Sequence, residues 1–270
     1  MKSIIILSAL TLFAGNALAG IQTQIDALPS TGGEIKLGCG IFNEPAIALR
    51  DDVALVGSGA CTVVPTITVA NNTTRRYRVR IENLMVDGSI DGTQYIGIDL
   101  RNVSLGRVRN VQIKNVQTGV LLYQTAYYNT LEDLIIDATT DCYEILDGAN
   151  ENILRGGRCG NGGTTRLGIG MWVRNAGDVK VFGTSFENLN VGVKLDTGAY
   201  GTALYSPRIE NVNRGIEMLA GSDRTGMFHP YIAVASTGVF IDAGINTTHY
   251  RFYGICANVD STPTGTLSCN

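Results

Sequence analysis

Apolar and variable positions alternate in short runs that recur along the chain, and most of these runs open on a glycine. The clearest are Gly97–Leu100, Gly119–Leu122, Gly170–Val173, Gly192–Leu195, Gly215–Met218 and Gly238–Ile241. The first and third positions after each glycine are apolar, while the position between them holds Asp99, Leu121, Trp172, Lys194, Glu217 or Phe240. A period of two with one constant apolar face predicts a strand with one buried side, since a helix would need apolar spacings of three and four. The glycines are spaced by 22, 51, 22, 23 and 23 residues. The long gap fits two repeats if Cys142–Leu146 is a degenerate copy and the second repeat carries an insertion, most simply in the glycine-rich stretch from Gly156 to Gly163.

A strand that recurs once in each such repeat cannot bury its apolar face alone. Stacking successive coils pairs their backbone edges and joins their apolar faces into one interior. The reading is therefore all-β: a right-handed parallel β-helix built as a single solenoid domain over residues 20–270. The repeat lacks the L-x-x-L-x-L signature of leucine-rich repeats and the six-residue period of left-handed β-helices. Asn115, Asn188 and Asn211 each lie four residues before a glycine. Asparagine tolerates left-handed backbone angles and can bond to its own kind from coil to coil, so these three are read as a structural ladder. An open solenoid needs its ends covered. Ile21, Ile25 and Leu28 have helical spacing and predict a short capping helix that ends before Pro29 and Gly32–Gly33.

Residues 1–19 stand apart from this pattern. Lys2, the apolar run from Ile4 to Phe13 and the small residues Ala17 and Ala19 read as a cleaved signal peptide. Its removal would take the formal charge from −3 to −4, a mild acidity that gives no reason to expect nucleic-acid binding. No later segment is long and apolar enough to act as a stable membrane anchor. The expected location is secreted or periplasmic. Cys39, Cys61, Cys142, Cys159, Cys256 and Cys269 form an even set behind that export signal, which suggests disulfides. Stapling neighbouring coils makes Cys39–Cys61, Cys142–Cys159 and Cys256–Cys269 the simplest of the fifteen pairings. A cysteine metal site is disfavoured, since there is no C-x-x-C and only His229 and His249 offer imidazoles.

The stretch Ile21–Pro29, the run Gly32–Leu37, the turn Val53–Gly59, Thr62–Val64 and the strand Ile81–Gly88 together resemble the start of the pectate-lyase-like superfamily. With the glycine repeat, the resemblance extends over most of residues 21–255. It implies a capping helix leading into the first coil, and it is specific for the fold and weak for activity, because the superfamily spans lyases, hydrolases, tailspikes and proteins without known chemistry. The hydrolases of that superfamily would bring a Gly-His-Gly turn and an arginine-x-lysine motif, and neither occurs here. Lyase chemistry would bring aspartates holding calcium and an Arg or Lys base, but no characteristic motif marks them. Cys39 also departs from the family pattern, where a small or apolar residue is usual.

The residues themselves single out the irregular middle coils. Asp141, Glu144 and Asp147 crowd together with Asp137 nearby, and Arg155 and Arg158 follow in the next run. Asp141, Glu144, Asp147 and Arg155 are the candidate catalytic group, because paired carboxylates could divide acid and base roles or bind calcium. Their competing role is to solvate loops. Trp172, Tyr123, Tyr127 and Tyr128 flank the same coils and are candidate saccharide platforms, since sugar C–H faces pack on aromatic rings; packing under a loop or at a subunit interface is the alternative for the tyrosines. Glu144 occupies the variable outward position if Cys142 stands for the repeat's glycine, and a slip of one residue would turn it inward. The clusters Arg75–Arg78 and Tyr205–Arg208 could meet acidic sugars or sit as solvated turns, and Asn71, Asn72, Asn102 and Asn246 head glycosylation-type triplets. Two functions follow from this reading. One is a secreted protein that binds or degrades an extracellular polysaccharide, a lyase or hydrolase with uronate as the natural acidic sugar. The other is a non-catalytic adhesive or structural β-helix.

Overall fold

The computed structural model describes residues 20–69, 74–160, 166–243, 251–253, 259–260 and 266–268, with side-chain surroundings up to residue 233. Residues 1–19, Cys256, Cys269, Asn72, Asn246 and His249 lie outside the described residues, as do the side chains of Val239 and Ile241.

The strands stack as a parallel β-helix with three sheets, as the repeat predicts. The first sheet runs through Gly33–Lys36, Val53–Val56, the start of Arg80–Asp87, the start of Arg107–Tyr123, Thr130–Glu132, Ile153–Arg155, Lys180–Phe182, Ala203–Tyr205 and Gly226–Phe228. The second holds Gly40–Ile41, Thr62–Val64, the segments around Val86, Ile113 and Ile136, then Arg158–Gly160, Ser185–Glu187 and the start of Arg208–Met218. The third is the glycine repeat: Ile96–Asp99, Thr118–Tyr123, Asp141–Leu146, Ile169–Arg174, Val191–Leu195 and Arg214–Met218. A row of single bridges, Ser104 to Tyr127, Asn150, Gly177, Tyr200 and Asp223, closes the remaining corner. All the ladders are parallel.

The alternation does what it predicts. Ile98, Leu100, Val120, Leu122, Val193, Leu195, Ile216 and Met218 are buried in one continuous interior. Coil corners need left-handed backbone, and from the third coil on the residue after the first-sheet strand supplies it: Asn83, Asn110, Asp133, Gly156, Gly183, Ser206 and His229 all have φ between 47° and 63°. Asn115, Asn188 and Asn211 are left-handed too, and Asn211 donates to Asn188 at 2.5 Å. Asn115 donates instead to Asp87, so the expected ladder holds over its last two members only. A fully buried pair that the glycine register does not flag, Asn129 and Asn152, bonds from coil to coil inside the helix at 3.0 Å.

The helix Ile21–Asp26 covers the first coil with Ile21 and Ile25. Glu44 accepts from the amide of Ile21 at 2.7 Å, and Arg50 donates to the carbonyls of Ile25, Leu28 and Pro29. The Gln22 amide both accepts from and donates to the backbone of Ala48, so a side chain occupies edge groups that another strand could otherwise pair with.

Two disulfides form among the described cysteines, Cys39–Cys61 and Cys142–Cys159, both as expected. The second explains the degenerate repeat. Cys142 sits in register with Gly119 and Gly170. Those glycines face the corner between the second and third sheets. A Cβ on Gly97, Gly119, Gly170 or Gly192 would lie about 2.5 Å from a side-chain atom of Ile113, Ile136, Phe186 or Ile209, each from the second sheet one coil on. At the irregular coil both partners change together: cysteine replaces the glycine, cysteine replaces the bulky residue, and the bridge fills the space. The extra chain length of this repeat falls in residues 161–168, where the next coil uses only 188–190. Replacing Cys142 by Gly and Cys159 by Ile together is expected to give a folded protein within about 2–4 kcal/mol of the original. Cys159→Ile with Cys142 kept should be much less stable, because the two side chains claim one volume. Thermal melts of the two variants compare them directly.

Candidate functional site

The third sheet carries the chemistry. Its outward positions stack as Asp99, Leu121, Glu144, Trp172, Lys194 and Glu217. Glu144 therefore faces outward, and Cys142 does stand for the glycine. The neighbouring column reads Ile96, Thr118, Asp141, Ile169, Val191 and Arg214. Asp141 thus lies in a largely apolar line, and its residue is only 4% exposed. Burial is the main force on its carboxyl group, and the Glu144 carboxyl beside it adds to the effect. Together they push the Asp141 pKa up to about 7, against smaller pulls from the Ile169 amide, which donates to the carboxyl group, and from Lys194. Its Oδ1 is buried without a hydrogen-bond partner. Thr118 donates from its hydroxyl to Glu144 Oε1 at 2.7 Å.

Trp172 follows Glu144 one coil on. Its Nε1 donates to Asp196 at 3.3 Å. The Arg174 guanidinium lies 4.9 Å from the ring centre and the Lys194 ammonium 5.5 Å. Lys194 pairs with Glu217 at 3.6 Å and Arg174 with Asp147 at 3.5 Å. The surface is thus an acid with its pKa raised to about 7 beside a second carboxyl group, then an aromatic ring flanked by cations.

The candidate residues divide among different faces. Asp141, Glu144, Trp172 and Tyr123 share the third sheet. Asp147 ends it, in a left-handed turn, held by Arg174 and Asn175. Arg155 belongs to the first sheet, where it lies over Phe182 rather than beside Glu144. Tyr127 and Tyr128 sit at the bridge corner in an edge-to-face pair, with Arg75 4.7 Å over Tyr127. Tyr128 is 56% exposed, and its hydroxyl pKa is raised by bonding to Glu151. In the basic clusters, Arg76 and Arg78 face Asp51 and Asp52, and Arg208 faces Glu210. Thr118, Arg174 and Lys194 were not among the candidates, although each lies one coil or one alternation from a residue that was.

A second aromatic group also escaped the sequence reading. Phe182, Tyr205 and Phe228 stack in register on the first sheet, with ring centres 4.8 Å apart and planes within 7°. Such a ladder spends its ring faces on itself, and Arg155 covers the free face of Phe182. Its role is to tie coils together rather than to offer a platform.

Among the described residues no group of three or more His, Cys, Asp or Glu side chains gathers as a metal site.

The molecule is a right-handed parallel β-helix with a carboxyl pair and an aromatic ring on one sheet. No family model and no curated protein matches the chain. Solved structures do share its fold. DFA-IIIase from Arthrobacter chlorophenolicus A6, solved without its lid, superposes with a TM-score of 0.58 at 12% identity, over 88% of this chain and 79% of that one. A mutant of that enzyme in complex with DFA-III gives 0.55 at 11% identity, over 88% and 75%. ORF18 of Geobacillus virus E2 gives 0.52 at 15% identity, over 82% of this chain and 54% of its own, so the chain spans about half of that protein. At such identities the likeness speaks for the fold.

Proposed function

We propose that the third sheet is the glycan-binding face of an extracellular carbohydrate-processing protein, with Glu144 as its acid–base group. The observation that carries this reading is the buried, near-neutral Asp141 behind Glu144, one coil from Trp172. A pair of carboxyl groups that shares one proton can accept and return a proton near neutral pH. Glu144 is the member open to solvent, so it would meet the substrate while Asp141 holds the proton behind it. Lys194 and Arg174 beside the ring suit an acidic sugar. On a uronate, Glu144 would take the proton next to the carboxylate as the bond to the leaving oxygen breaks. The pair would then return a proton to that oxygen and end with the count it began with. The disulfides suit an oxidising compartment, and no helix among the described residues is long and apolar enough to cross a membrane.

A non-catalytic adhesive role has one observation in its favour: Lys194 and Arg174 are already engaged by Glu217 and Asp147. The two readings separate in one experiment. The protein is screened against uronate-containing and neutral glycans, with binding and the appearance of unsaturated or hydrolysed products both recorded. Trp172→Ala is expected to weaken binding by roughly 1–3 kcal/mol with an unchanged melt. Binding without turnover would select the adhesive role. Unchanged binding in a well-folded Trp172→Ala protein would move the site elsewhere.

A further inference from the structure

We infer that Thr118 is a positioning residue that fixes where the carboxyl pair keeps its proton: on Asp141 and away from Glu144. The inference rests on the reading of Glu144 as the acid–base group. A threonine hydroxyl can donate to a carboxylate and so favours its charged form. Thr118 directs its hydroxyl at Glu144 Oε1 at 2.7 Å, while Asp141 accepts from the Ile169 amide but has one oxygen, Oδ1, buried without a donor. The two carboxyl groups are therefore unequal: Glu144 is partly open to solvent and served by a hydroxyl, and Asp141 sits in the apolar column with an oxygen left unserved.

The surroundings support the asymmetry. In the preceding coil the pair faces Thr118 and Leu121, which carry no charge, and in the next coil Ile169 and Trp172, which also carry none. The charged groups that reach it are Lys194, two coils beyond, and through it Glu217 and Arg214. Among the described residues no other hydroxyl or amide side chain donates to either carboxyl group, so removing the Thr118 hydroxyl isolates what that one bond adds to the difference that burial already makes. Thr118 is itself buried in a strand, where valine has the same shape.

The test follows the two side-chain carboxyl carbons by NMR across the pH range, in the wild type, Thr118→Val and Thr118→Ser. In the wild type Asp141 should titrate near 7 and hold its proton at pH 6. In Thr118→Val the proton should spread over both groups, so that the Asp141 carboxyl carbon shows a partly ionised signal at pH 6. Thr118→Ser keeps a donor and should restore the wild-type curve, which a purely structural role for the side chain would not do. A Thr118→Val curve that overlays the wild type, or a wild type with its proton on Glu144, overturns the inference. The glycan screen is read separately. Shifted titration with no turnover leaves the assignment standing and removes the catalytic reading; turnover with an unmoved titration removes the assignment alone.

Discussion

Leu195→Asp is expected to leave little or no soluble folded protein. Leu195 is fully buried and stacks between Val173 and Met218 in the interior column of the third sheet. Its neighbours are apolar, so a carboxylate there would meet neither a donor nor water. The lost apolar contacts cost about 2–5 kcal/mol, and burial of an unpaired charge adds several more. A domain with a total stability of about 5–15 kcal/mol does not survive that sum. Lys194→Ala, one residue earlier and facing outward, should change the melt by no more than about 1 kcal/mol. Soluble yield and thermal melts of the two variants make the comparison. A folded Leu195→Asp protein with a normal melt would mean that this column does not line the interior.

The second large effect concerns the carboxyl pair. Glu144→Gln should keep the fold and lower turnover by about 10²–10⁴-fold, the usual worth of a general acid–base group. Asp141→Asn should act through proton supply and flatten the pH profile around neutrality. It also changes stability in a direction that can be worked out. The folded-state pKa of Asp141 is raised to about 7, so the native chain holds a proton that the unfolded chain releases near pH 4. The wild type is therefore favoured below that point, loses stability as the pH climbs towards 7, and levels off above it. The full swing is roughly 2–4 kcal/mol. Asp141→Asn lacks the titrating group and should show a flatter melt between pH 4 and 7. Melts that run parallel in the two proteins would show that Asp141 is not held protonated.

The architecture was legible because each third-sheet strand opens on a glycine and keeps its apolar pair, so the interior could be named position by position. Even the degenerate copy at Cys142 was readable from its spacing. The site was harder, because its neighbours are set by register across coils rather than by distance along the chain. The long strand Arg107–Tyr123 slips register between Lys114 and Thr118, and the insertion before Ile169 lengthens the next coil. Trp172 and Lys194 keep the regular offset of 22 residues, but Thr118 meets Glu144 diagonally, 26 residues on, which no repeat spacing marks. Arg155 shows the converse error. It lies close to Glu144 in sequence, yet the corner after Leu146 carries the chain to another sheet. The ladder of Phe182, Tyr205 and Phe228 was missed because first-sheet strands here span only three residues and share no recurring glycine marker.

The exchange at the Cys142–Cys159 coil has a consequence for how such a chain can change. Gly119 with Ile136 and Cys142 with Cys159 are two solutions to one volume, each spelled by two residues on different sheets. Passing from one to the other takes two steps, and their order matters. Shrinking the bulky partner first leaves a hollow, a cost the fold can bear. Enlarging the glycine first drives a new Cβ into an isoleucine. The interior is thus open to rewriting along one route and closed along the other, and a library of paired substitutions should recover survivors that hollowed before they filled.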